Sequence, residues 1–69
     1  MNRYTAVVKQ DGDCWIGWVE EVPGVNAQES SREELLASLK VVLQEALEMN
    51  RADARAAAGG AYEELALAL

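Results

Sequence analysis

A chain of 69 residues with one cysteine, no histidine and a net charge of −6 excludes several classes of protein at once. It is one domain in length, has no second thiol for an internal disulfide, and lacks the ligand set of an ordinary zinc site. So acidic a chain repels phosphate backbones, and direct nucleic-acid binding is not expected.

A chain this short buries roughly 60% of the surface that its unfolded form exposes, so self-association or partner binding belongs in the expected stability account. No apolar run approaches the ~20 residues that span a bilayer. Met1-Asn2-Arg3-Tyr4 leads straight into a strand pattern with no signal-peptide hydrophobic region. A lone thiol suits a reducing compartment, and a cytoplasmic location is the expectation. The acidity is concentrated. Residues 11–34 hold Asp11, Asp13, Glu20, Glu21, Glu29, Glu33 and Glu34 against one base, Arg32, which is the whole net charge. Such a segment suits a basic protein partner, and suits a solvated surface equally well.

In chain order, residues 3–9 are rich in β-branched and aromatic side chains and predict a first strand. Tyr4, Ala6 and Val8 fall on one face, and Thr5, Val7 and Lys9 on the other. Asp11-Gly12 is a hairpin signal. Residues 14–21 predict the second strand, with Cys14, Ile16, Trp18 and Glu20 on one face and Trp15, Gly17, Val19 and Glu21 on the other. Each face thus carries a tryptophan. Gly17 marks either a close approach by a neighbour or a bulge. Val22-Pro23-Gly24-Val25 reads as a type II turn, and residues 25–28 would complete an antiparallel meander.

Ser30 or Ser31 caps a helix, since Ser30 with Glu33 and Ser31 with Glu34 both fit the capping-box spacing. Leu35, Leu36, Leu39, Val42, Leu43, Ala46 and Leu47 form a wide apolar stripe. The helix is expected over residues 31–50, with residues 51–57 as a short second helix or a frayed extension. Gly59-Gly60 breaks it. In residues 61–69 composition favours helix, whereas the alternation of Leu65, Leu67 and Leu69 favours a strand, and a strand over about residues 61–68 is the expectation.

Catalytic chemistry is not expected. Adjacent strand carboxylates such as Glu20-Glu21 point to opposite faces, and capping and the helix dipole account for Glu33-Glu34. Cys14 has no histidine to activate it, and no phosphate-loop pattern is present. No catalytic, metal or cofactor residues are assigned. The tryptophans are typical interface anchors. A sheet with a single helical cover cannot readily bury both faces, so at least one of Trp15 and Trp18 is expected to meet another chain.

Tyr4-Thr5-Ala6-Val7-Val8-Lys9, the Asp-Gly hairpin, Trp15-Ile16-Gly17-Trp18-Val19-Glu20-Glu21-Val22-Pro23-Gly24-Val25 and Arg32-Glu33-Glu34-Leu35 together resemble the HicB-like antitoxin family over about residues 3–50. The resemblance implies an α+β, β-β-β-α-β partial ribonuclease-H-like fold: an antiparallel meander covered by one main helix, with residues 61–68 as a C-terminal strand beside the first. It further implies a non-enzymatic antitoxin that binds a small basic mRNA-cleaving toxin of the HicA type. Two departures accompany it. There is no room after the core for the C-terminal DNA-binding domain that many members carry. The first strand also lacks the acid of a ribonuclease-H active site. The expected contact residues are Trp15, Trp18, Glu20, Glu21, Pro23 and Gly24. The alternative is an oligomeric regulatory or scaffold module of the same fold with no toxin partner.

Overall fold

The computed structural model of the chain describes residues 3–68. Local sequence rules set each reversal. Asp11 pairs with Cys14 across a two-residue loop in which Gly12 has a positive φ of 63°. No non-glycine residue among those described does, so the glycine alone supplies the geometry that hairpin twist demands. The turn joins β1 (Ala6–Asp11) to β2 (Cys14–Val19). Val25 N–H then donates to Val22 C=O at 3.3 Å, with Gly24 at φ 91°. This is the expected type II turn, and β3 (Asn26–Glu29) follows it. The three strands form an antiparallel sheet in the order β1-β2-β3.

Ser31 caps the helix α1 (Arg32–Ala58). Its Oγ accepts the Glu34 N–H at 3.2 Å and donates to the Glu34 carboxylate at 3.0 Å, while Ser30 Oγ donates to the same oxygen. The first turn is therefore held by side chains rather than water. Leu35 and Leu39 of α1 bury against Val19 and Val25, and Val8, Trp15, Ala27, Val42, Leu43 and Ala46 pack around them. Burial of each such leucine stabilises the fold by about 2 kcal/mol. Gly17 explains the closeness of helix and sheet: a Cβ there would lie 3.2 Å from Leu35 Cδ2 and 2.9 Å from Val7 O. Of the two readings of Gly17, close approach is the one observed.

Three expectations are corrected. The second strand stops at Val19, and Glu20 and Glu21 belong to the turn that leads to Pro23. The helix does not end near residue 50: of the two readings of residues 51–57 the extension is the one observed, and α1 runs unbroken for 27 residues to Ala58. Alanine-rich sequence of high helix propensity continues the helix without burial until Gly59 ends it at φ 78°. Third, residues 61–68 form no strand and lie fully on the surface. A 27-residue helix is about 40 Å long, whereas a six-residue strand spans about 20 Å. The last two turns of α1 therefore overhang the sheet, consistent with a longest dimension of 50 Å, and carry the tail away from β1. The terminal Leu69 lies outside the described residues.

Candidate protein-docking face

With α1 on one side of the sheet, strand register decides what the other side presents. Val7 pairs with Trp18 and Trp18 with Asn26; Lys9 pairs with Ile16 and Ile16 with Gln28. Period-two alternation puts these side chains together on the uncovered face. Trp18 sits on the central strand and is 42% exposed, whereas Val7, Cys14 and Ile16 around it are half-buried. The result is a shallow patch in which the indole stands beside Val7 and Ile16, with Asn26 and Glu20 on its other sides. Its rim is polar: Asp11 and Asp13 at the hairpin end, Glu20 at the other, and Lys9, Asn26 and Gln28 on the flanks.

The predicted contact residues divide into three groups. Trp18 stands on the open face. Trp15 points the other way, where it packs against the buried cluster of helix and sheet, so its role is structural. Glu20, Glu21, Pro23 and Gly24 are exposed in the connection after β2. Glu20 still pairs across to β1, its N–H donating to Thr5 C=O at 2.9 Å, and so continues the side of Trp18. Glu21 is engaged differently. Its carboxylate accepts the Thr5 N–H at 2.7 Å, and that bond holds its carboxyl below the ordinary value of 4.5. A Cβ at Gly24 would meet nothing; the residue serves turn conformation and leaves the loop surface flat.

A second feature escaped sequence reading. Between the β1 edge and α1 runs an apolar groove of about 240 Å³ lined by Tyr4, Ala6, Val19, Leu36, Leu39 and Leu43, with Lys40 at its rim. Its signal was the width of the helical stripe: Leu36, which lines the groove, extends beyond the face needed to cover three strands and remains half-exposed.

Among the described residues, no three His, Cys, Asp or Glu side chains are grouped to hold a metal ion, and no helix is long and apolar enough to cross a membrane. Compared with known proteins, the chain matches no family model, no curated protein and no solved structure.

Proposed function

We propose that the chain is a cytoplasmic, non-enzymatic antitoxin-like protein whose open sheet face binds and neutralises a small basic mRNA-cleaving toxin of the HicA type. The observation that carries this reading is Trp18, a large side chain left 42% exposed on a face that none of the described residues covers. An exposed indole beside half-buried Val7 and Ile16, with acids at both ends of the face, has the anatomy of a protein-binding patch: an anchor that excludes water, and charges that steer a partner of opposite sign. The HicB-like order of motifs over residues 3–50 supplies the identity of that partner. One carboxylate of each acidic pair has a structural partner: Glu34 is held by both cap serines and Glu21 by the Thr5 N–H.

The apolar groove beside β1 favours a second reading, an oligomeric regulatory or scaffold module of the same architecture without a toxin. Co-expression separates the two. The antitoxin reading expects the chain to restore growth to cells that express a small basic protein encoded by a neighbouring gene, and to co-purify with it. Trp18→Ala and Glu20→Lys are expected to abolish both effects while the circular dichroism spectrum is retained. Failure of the unaltered chain to rescue growth or to co-purify would sink the antitoxin reading and leave the scaffold.

A further inference from the structure

β1 is an edge strand, and its free side can be assigned group by group. The bond from Glu20 N–H to Thr5 C=O makes Thr5 and Glu20 a hydrogen-bonded pair. In antiparallel alternation Val7, Lys9 and Asp11 then also bond towards β2. The main-chain N–H and C=O groups of Ala6, Val8 and Gln10 therefore point outward, unpaired by any strand among the described residues. Directly beside them lies the apolar groove. An unpaired strand edge beside an apolar groove fits an extended segment with an apolar side chain at every second position: the main chain completes the ladder and alternate side chains fill the groove.

Such a segment exists in this chain. Leu65 and Leu67 alternate in the extended tail and are 75% and 90% exposed. Glu63 falls on the same side by alternation, which suits the Lys40 ammonium at the groove rim. As placed, the tail lies outside its own groove, which none of its described residues lines. Arg55 Nε donates to Glu64 Oε1 at 2.8 Å and fixes the tail base to the overhanging end of α1. Leu67 comes three residues after Glu64, at most about 10 Å of extended chain. Leu43, the groove leucine nearest to Arg55, lies twelve residues back along the helix, about 18 Å at 1.5 Å per residue; Leu36 is about 28 Å away.

We infer that the occupant is the tail of a second copy: residues 62–68 of each protomer add a strand to the other's β1 and seat Leu65 and Leu67 in its groove. The exchange is reciprocal, so it closes as a two-fold dimer. It uses the edge of the sheet and leaves the Trp18 face free, so it stands independently of the toxin-binding proposal.

Sedimentation equilibrium of the full chain at high micromolar concentration is expected to give twice the protomer mass. Leu65→Asp with Leu67→Asp, both at exposed positions, is expected to halve that mass with an unchanged circular dichroism spectrum, whereas Trp18→Ala keeps it doubled. Isotope-filtered NOEs in an equal mixture of labelled and unlabelled chains should connect the Leu65 and Leu67 methyls to Leu39 and Leu43 of the other copy. A monomeric unaltered chain, a tail variant that stays dimeric, or contacts confined to one copy would each overturn the exchange.

Discussion

Gly17 lies where three elements converge, and its missing side chain sets how near α1 comes to the sheet. A Cβ there would stand 2.9 Å from the Val7 carbonyl oxygen, 3.0 Å from Val8 Cγ1 and 3.2 Å from Leu35 Cδ2. The leucine tip could shift, but a ladder carbonyl on the neighbouring strand cannot move without disturbing the pairing of β1. Gly17→Ala is therefore expected to destabilise the fold by about 1–3 kcal/mol, an overpacking cost, read as a lower urea midpoint at unchanged slope. Glu21 gives a second test. Its folded-state carboxyl is held below 4.5 by the Thr5 N–H, so the folded chain takes up that proton less readily than the unfolded chain. The stabilisation is fully present above the unfolded value and is lost as pH falls below 4.5 through the depressed folded value. Glu21→Gln is expected to flatten stability against pH in that acid range alone, a small effect because the group is exposed. Denaturation midpoints across a pH series would show it, and a slope equal to the unaltered chain's would refute it.

Among the elements, α1 joins two regimes in one helix. Residues 35–46 hold an apolar face against the sheet, whereas residues 51–58 are exposed all round and stay helical on propensity and continuity alone. Amide exchange is expected to be slow over residues 35–46 and fast, by fraying, over residues 51–58. Ala54→Gly, which costs about 1 kcal/mol of helix propensity, is expected to speed exchange in the distal turns and leave the urea midpoint of the core unmoved. The same division explains what was readable from the residues. Gly12, Pro23-Gly24 and the Ser31–Glu34 cap act through their immediate neighbours, so both turns, the meander and the helix start were legible. Trp18 became distinguishable from Trp15 only with the register and with the side on which α1 docks, which are tertiary facts. The strand expected at residues 61–68 did not form because the alternation of Leu65 and Leu67 specifies a face but not a partner. The unbroken run from Asn50 to Ala58, which contains no glycine or proline, carried the tail beyond the sheet.

At the scale of the whole molecule, charge and apolar surface are allotted to different places. The net charge of −6 resides in residues 11–34, which include the hairpin tip and the β2–β3 connection at the two ends of the Trp18 face. The β1 groove is built from tyrosine, alanine, valine and leucine side chains, with Lys40 as its one charged residue among those described. Added salt acts on these surfaces in opposite ways. Screening length falls from about 10 Å at 0.1 M salt to about 3 Å at 1 M, which removes the field that would draw the proposed basic partner to the acidic rim, chiefly by slowing association. Apolar burial is not weakened by screening, and strongly hydrated salts reinforce it. A salt series on one sample thus tests both surfaces. Affinity for a basic partner, followed by calorimetry, is expected to fall about tenfold or more over that range, with the loss concentrated in the association rate. The mass of the partner-free chain is expected to remain that of the dimer throughout. Partner binding indifferent to salt would place its contact away from the acidic rim, and a dimer that dissociates with salt would show that Lys40 and Glu63, rather than the leucines, hold the two copies together.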